Sequence, residues 1–424
     1  MHSIALNDVL CHINGEFKRA SIGIDENKIS VISRERLKGE ITFDGEDLIA
    51  IPAFFNAHTH TAMTLLRGIA EDLELNKWLE NVWRIEKNLG KHEIYWGTML
   101  GITEMIRSGT AGFSDLYIHM EEVARAAGES GLKAVLCYGM ADRGDEEKAK
   151  RELEIGEKFI KDWNNTYDGR IKAIFGPHAP YTCTPEFLTA VKERADELGT
   201  MIHIHVSETE WEVNEIRNRY GKTPVELLND IGFLDDRVIM AHAVWLSDRE
   251  IQILKKRNVS VVNNPTSNMK LSSGIARVRD MIEHGINVAL GTDGAASNNS
   301  YNMFFEMKIA SLCQKIKYMR ADAIRAEDVF RMATENAYSA YRVKGGRIEE
   351  GFPADIALLS KSASFYPVYH PLHSIVYAAS GEEVQHLIVD GELIMEDREI
   401  LTFNEERVYR KVEKLKDKLY GRTF

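Results

Sequence analysis

The chain has 424 residues, with 53 Lys and Arg against 65 Asp and Glu, a formal net charge of -12, and 44% hydrophobic residues. This is a globular composition with enough length for a large core, so a mainly disordered chain is excluded, and the acidic balance argues against nucleic acid or anionic membrane as a partner. No apolar run reaches the ~18 residues of a membrane span, the first residues lack the basic start and apolar core of a signal peptide, and Cys11, Cys137, Cys183 and Cys313 form no CxxC pair, so a reducing cytoplasm is the expected compartment.

Residues 1–47 carry short alternating runs, 21–24 and 29–32, around Asp25-Glu26-Asn27. From there the pattern changes to eight longer apolar runs, at 48–60, 110–116, 133–139, 172–179, 201–208, 238–244, 259–265 and 287–294. Helix-like stretches separate them. Residues 77–107 place Trp78, Leu79, Val82, Ile85 and Leu89 on one helical face. Residues 184–198 begin Thr184-Pro185, a usual helix start, and 248–257 and 274–284 are shorter examples. Continuous apolar strands alternating with helices predict a parallel sheet covered by helices, and eight such units predict a (β/α)8 TIM-like barrel. Residues 346–360 and 386–402 return to the style of the first 47, with Asp390-Gly391 as a hairpin signal. Residues 1–50 and 346–424 are therefore expected to build a small β-sandwich domain from both termini, ending in a helix at 411–419, around a barrel at 51–345.

Barrel active sites lie at the C-terminal ends of the strands. Six of the 14 histidines fall inside or at the ends of four predicted strands: His58, His60, His178, His203, His205 and His242. His58 and His60 are two apart on one strand, so both imidazoles share a face and can hold one ion. His203 and His205 also share a face. Their spacing leaves open which of them is a ligand; His205, nearer the mouth, is favoured. Asp293 ends the eighth run in Thr292-Asp293-Gly294, and Glu208 lies just beyond the fifth. Three histidines and an aspartate leave an open coordination position, the pattern of a catalytic metal site. A divalent ion lowers the pKa of water to about 7, and Glu208 and His242 can move protons beside it. The residues thus point to metal-assisted hydrolysis.

The segment Pro52-Ala53-Phe54-Phe55-Asn56-Ala57-His58-Thr59-His60, followed by His205, His242 and Asp293, resembles the amidohydrolase superfamily. Thr64-Leu65-Leu66-Arg67-Gly68, Phe175-Gly176-Pro177-His178-Ala179-Pro180-Tyr181, Asn264-Pro265-Thr266-Ser267-Asn268 and the run Gly291 to Asn299 are similar to its 5'-methylthioadenosine/S-adenosylhomocysteine deaminases. The resemblance implies one Zn2+ per subunit, or another divalent ion such as Fe2+, on His58, His60, His205 and Asp293. It implies hydrolytic removal of the C6 amino group from 5'-modified adenosines, with 5'-deoxyadenosine and adenosine as further substrates. In that reaction Asp293 takes a proton from water, Glu208 protonates ring N1, and His242 steadies the attacking oxygen.

His178 is then a contact to the purine. Glu86, which alone reads as an exposed helix glutamate, is a partner for the ribose hydroxyls. Arg151 aligns with a family arginine that holds an amino-acid carboxylate, in a charge-rich helix that reads equally as a solvated face. Some members carry a second arginine on the third strand, where this chain has Cys137-Tyr138, which favours uncharged 5' groups. Met63, Trp78, Leu79 and Trp83 can pack on such a group. The bridging lysine of two-metal members has no counterpart at the mouth, since Lys172 starts its strand. Barrels of this branch often associate as homo-oligomers. Guanine, a triazine or a cyclic amide is the alternative substrate, because Glu208 and His242 would serve those reactions too.

Overall fold

The computed structural model describes residues 1–73 and 75–423. The chain opens with β1 (His2–Ile13), β2 (Glu16–Asp25), β3 (Lys28–Ser33), β4 (Gly39–Asp44) and β5 (Leu48–Pro52). The β1–β2 turn is Asn14-Gly15, both with positive φ (51° and 79°), which matches the twist of a two-residue hairpin.

The barrel strands follow as β6 (Phe54–Thr59), β7 (Thr110–Tyr117), β8 (Lys133–Met140), β9 (Ile171–Pro177), β10 (Ile202–Val206), β11 (Val238–His242), β12 (Ser260–Asn263) and β13 (Val288–Leu290). They pair in sequence order, all parallel. The first and last strands meet through polar groups. The Asn56 side chain donates to Thr292 Oγ1 (2.7 Å) and accepts from the Thr292 amide (3.0 Å), and the Asp293 amide donates to His58 O (2.9 Å). This seam sets two prospective ligands, His58 and Asp293, side by side. The far end of the barrel interior is filled by Tyr338 and Tyr341, whose rings pack on Phe55 at 5.1 and 5.6 Å.

The chain then returns to the first sheet with β14 (Ile356–Ser360), β15 (Val384–Val389), β16 (Glu392–Glu396) and β17 (Glu399–Ile400). β14 pairs with β5, so both ends of the chain share one nine-stranded mixed sheet. Its own core joins Ile4, Leu6, Ile22 and Ile24 to Ile356, Leu358 and Ile388. The expected Asp390-Gly391 hairpin links β15 to β16, with φ of 47° and 74°.

Two predicted elements are divided. The run at 48–60 is β5 in the terminal sheet and β6 in the barrel, parted at Ala53, whose amide bonds to Asp355 O at 3.0 Å. Both halves are buried, so apolarity does not mark the change of sheet. The stretch at 77–107 is two helices, Leu75–Glu86 and Lys91–Arg107, interrupted at Gly90. Glu93 accepts from the Gly90 amide at 3.1 Å and so satisfies the start of the second. The final helix is Glu405–Thr423, longer than predicted. Among the described residues no helix is long and apolar enough to cross a membrane, and the four cysteines are buried and unpaired.

Candidate active site

The strand ends at the mouth of the barrel carry strained backbone. Ser207 (φ 54°), His242 (φ 73°), Ala243 (φ 48°) and Asp293 (φ 65°) all lie in the left-handed region, which is unfavourable for residues with a side chain. Such positions persist where surrounding bonds over-determine them, and they gather at functional sites. For Ser207 the bonds come from Glu212, whose carboxylate accepts the amides of Ser207 (2.9 Å) and Glu208 (2.8 Å).

Three imidazoles are oriented by the same device. His60 Nδ1 donates to Leu116 O (2.5 Å), His205 Nδ1 to His178 O (2.7 Å), and His58 Nδ1 is bonded to His203 Nε2 (2.9 Å). In each ring the orienting bond uses Nδ1 and not Nε2. His58 Nε2 is fully buried without a hydrogen-bond partner and lies 3.5 Å from Asp293 Oδ1; His60 Nε2 lies 3.2 Å from the same oxygen. Ser267 (2.6 Å) and Ser297 (3.0 Å) donate to Asp293 Oδ2 and hold the carboxylate in place. His58, His60 and Asp293 bring ligand atoms within 4.8 Å of one another, as do His58, His205 and His242.

This set fits a divalent cation. Nitrogen and carboxylate donors of this kind suit zinc and related ions, and an orphaned Nε2 aimed at a carboxylate is the vacancy such an ion fills. Burial pushes His58 down to about 4 and His205 well below the usual range, so both rings keep a free lone pair at neutral pH. His60 behaves differently. Burial opposes its charge, but the Asp293 carboxylate outweighs burial and raises it to about 9. His60 Nε2 and Asp293 Oδ1, 3.2 Å apart, converge on one point.

Glu208 and His242 sit beside this cluster, with Glu208 Oε2 at 3.8 Å from His242 Nε2. Burial raises the Glu208 carboxyl above its ordinary value. His242 Nδ1 bonds to Asn268 Oδ1 (2.8 Å), which turns Nε2 inward. A carboxyl that burial pushes toward its protonated form thus stands next to the cluster, the direction acid catalysis requires.

His60, His205, His242, Asp293 and Glu208 line a cavity of about 340 Å³. His178 lines it, with Nδ1 bonded to Thr182 Oγ1 at 2.9 Å. Glu86 lines it from the helix Leu75–Glu86, and the Tyr117 hydroxyl donates to its Oε1. Burial raises the Glu86 carboxyl, so it is not the solvated helix glutamate that its local sequence suggests. Met63, Trp78, Leu79 and Trp83 form the apolar wall.

Arg151 is exposed on the helix Glu146–Trp163, and the described lining does not include it. The arginine that does reach the cavity is Arg143, in the loop after β8. Its guanidinium lies 4.8 Å from the centre of the Trp83 ring, a cation–π distance. Arg143 also lines an adjoining chamber of about 570 Å³ with Tyr181, Trp211 and Arg219. Sequence reasoning missed Arg143, whose short loop has no periodicity to read. It also gave no role to Glu212, Ser267, Asn268 or Ser297, although the last three lie within motifs already singled out. Lys172 is at the opposite end of its strand from the mouth and bonds to Arg342 O at 3.0 Å.

The amidohydrolase family model matches residues 49–394. A 5-methylthioadenosine/S-adenosylhomocysteine deaminase of Archaeoglobus fulgidus is 50% identical over 421 residues, covering 99% of this chain and 100% of that one. A 5'-deoxyadenosine deaminase of Methanocaldococcus jannaschii is 44% identical over 409 residues, 95% of this chain and 97% of its own. The crystal structure of an adenosine deaminase from Xanthomonas campestris with bound zinc superposes with a TM-score of 0.94 at 29% identity, over 99% of each chain. A zinc-bound atrazine chlorohydrolase from Arthrobacter aurescens, 21% identical with a TM-score of 0.91 over 97% of this chain and 100% of that one, shares the fold. With its barrel, its strand-end histidines and a family match over most of its length, the chain belongs to the amidohydrolase family.

Proposed function

We propose that this chain is a metal-dependent aminohydrolase that deaminates the adenine ring of 5'-modified adenosines, with one zinc ion per subunit. The observation that carries the reading is a single cavity. It is lined together by His60, His205, Asp293 and Glu208, by the Glu86 carboxylate, by the apolar Met63, Trp78, Leu79 and Trp83, and by Arg143. That set offers partners for base, ribose and 5' substituent. Relatives at 50% and 44% identity, named for 5-methylthioadenosine/S-adenosylhomocysteine and 5'-deoxyadenosine, support it. The single ion is supported by Lys172, which lies at the wrong end of its strand to bridge a second.

His58, His60, His205 and Asp293 would hold the ion, which when bound supplies Lewis acidity and an activated water. The residues do the rest. His178 and the cavity wall orient the purine. Asp293 accepts a proton as water adds to C6. Glu208 gives its proton to N1, which lets the ring accept the electron pair, and His242 holds the adding oxygen. The C6–N bond then breaks, the amino group leaves as ammonia with the proton from Asp293, the remaining proton of the added oxygen returns to Glu208 as the C6 carbonyl forms, and N1 keeps its hydrogen in the hypoxanthine product. Positioned groups of this kind supply rate by holding the reacting atoms and stabilising charge as it develops. The test is the ultraviolet change from adenine to hypoxanthine with zinc-loaded protein. Turnover is expected with 5'-methylthioadenosine, S-adenosylhomocysteine and 5'-deoxyadenosine. Turnover of guanine or a triazine with none of these nucleosides would overturn the reading.

The polar wall separates nucleosides from free bases. Glu86→Ala should reduce kcat/KM for nucleosides while changing turnover of free adenine less than threefold, because only the nucleosides bring hydroxyls to that carboxylate. Arg143 is assigned the charged end of a 5' substituent, in the place the resemblance gave to Arg151. It stands at the boundary of the two chambers, and no acidic side chain pairs with it among the described residues. A charge-assisted bond of about 1.5–3 kcal/mol implies that Arg143→Ala loses roughly 10- to 100-fold in kcat/KM on S-adenosylhomocysteine. On 5'-methylthioadenosine it should stay within threefold. Equal losses on both would remove Arg143 from this role.

A further inference from the structure

We infer that His203 and Tyr341 are positioning residues for the metal centre, because together they set which nitrogen of His58 carries the proton. The argument follows the hydrogens. The Tyr341 hydroxyl has one proton and donates it to Ala57 O at 2.5 Å. It therefore accepts from His203 Nδ1, 2.7 Å away, and that nitrogen must bear hydrogen. In a neutral imidazole the other nitrogen is then a lone pair. His203 Nε2 accordingly accepts from His58 Nδ1 at 2.9 Å, which leaves His58 Nε2 as the lone pair. That atom is the buried one with no partner, facing Asp293.

The His58 and His203 rings are within 8° of parallel, and those of His203 and Tyr341 within 10°. The relay also closes on itself, since it starts at the carbonyl of Ala57 and ends on the side chain of the next residue. All four residues are buried. They come from three parts of the barrel: Ala57 and His58 from β6, His203 from β10, and Tyr341 from the segment capping the helix Glu335–Ala340. His60 and His205 use backbone carbonyls for the same purpose. A carbonyl can only accept and so dictates the tautomer by itself. His203 can accept or donate, and it needs Tyr341 to settle the choice. Outer partners of this kind typically change metal affinity by about 10–100-fold.

The inference rests on the reading of the cluster as a metal centre and on nothing about the substrate. Its test is the zinc dissociation constant, measured by competition with a chromophoric chelator, together with the visible spectrum of the Co(II)-loaded protein. Three variants are compared with the unmodified chain. His203→Leu and Tyr341→Phe should each weaken zinc binding about 10- to 100-fold and shift the Co(II) bands. His203→Gln, which presents an amide oxygen to His58 Nδ1–H, should stay within threefold. The thermal midpoint of the metal-free protein monitors structural damage, and Tyr341→Phe keeps the test open if His203→Leu does not fold. Zinc constants within threefold of the unmodified chain for both Leu and Phe would overturn the inference. So would equal weakening by Gln and Leu, since ring shape rather than the acceptor would then matter. An unmodified chain that binds no zinc would overturn the metal reading itself.

Discussion

Glu208→Gln is expected to lower kcat on 5'-methylthioadenosine by about 10²- to 10⁴-fold, or about 2.7–5.4 kcal/mol at 1.36 kcal/mol per decade. Glutamine keeps the size of the side chain and can still donate a hydrogen bond, but it cannot transfer a proton to N1. The zinc content and the nucleoside dissociation constant should remain close to those of the unmodified enzyme. Glu208 contributes no ligand in this scheme, and its backbone is fixed by Glu212 through the amide, independently of its own side chain. The pH profile gives a second reading. Burial raises the Glu208 carboxyl, and its protonated form is the active one, so its contribution is present below that raised value and is lost as pH rises through it. The alkaline limb should therefore flatten in the glutamine variant. A loss under fivefold, or an unchanged limb, would take the proton transfer away from Glu208.

Stripping the metal is expected to abolish turnover and to lower the thermal midpoint, with both restored by zinc. A ligand present at about a thousandfold over its dissociation constant stabilises by about 4 kcal/mol, enough to move the midpoint by several degrees in a protein of this size. The physical reason lies in the four groups themselves. His58 Nε2 is buried without a hydrogen-bond partner, and the Asp293 carboxylate, 3.2 Å from His60 Nε2, favours a proton on His60. Binding must displace that proton, so zinc affinity should rise with pH up to about 9, the value to which Asp293 raises His60, and weaken in acid. Zinc affinity independent of pH would show that the His60 proton is not the competitor. Full activity in chelator-treated, metal-free protein would remove the metal from the reaction.

The barrel was legible because a parallel strand buried on both faces is a continuous apolar run, and eight such runs alternate with amphipathic helices. His58 and His60 were legible because a strand has a period of two, a local property. Their environment was not. The run at 48–60 conceals the passage from one sheet to another, since a buried strand reads alike in both. Gly90 was overlooked as a helix break because the apolar face continues on each side of it.

The arginines show the limit most directly. Arg151 lies on a helix with a readable face, but periodicity does not say which face meets the site. Arg143 lies in a loop, where its direction follows from a backbone held at positive φ (53°) and a bond from its amide to Thr182 O.

The sequence by itself determined the strand and helix periods, the set of histidines and carboxylates at the strand ends, and the net acidity. Those depend on residue type and spacing along one segment. The preference for His205 over His203 could be read from its place nearer the mouth, but only the closed barrel shows that Glu212, Asn268, Ser267 and Ser297 hold the members of the cluster. It also decided that Tyr341 reaches His203 across 138 positions of chain. Periodicity specifies the face on which a side chain lies; what that face meets depends on how all the segments close around one another.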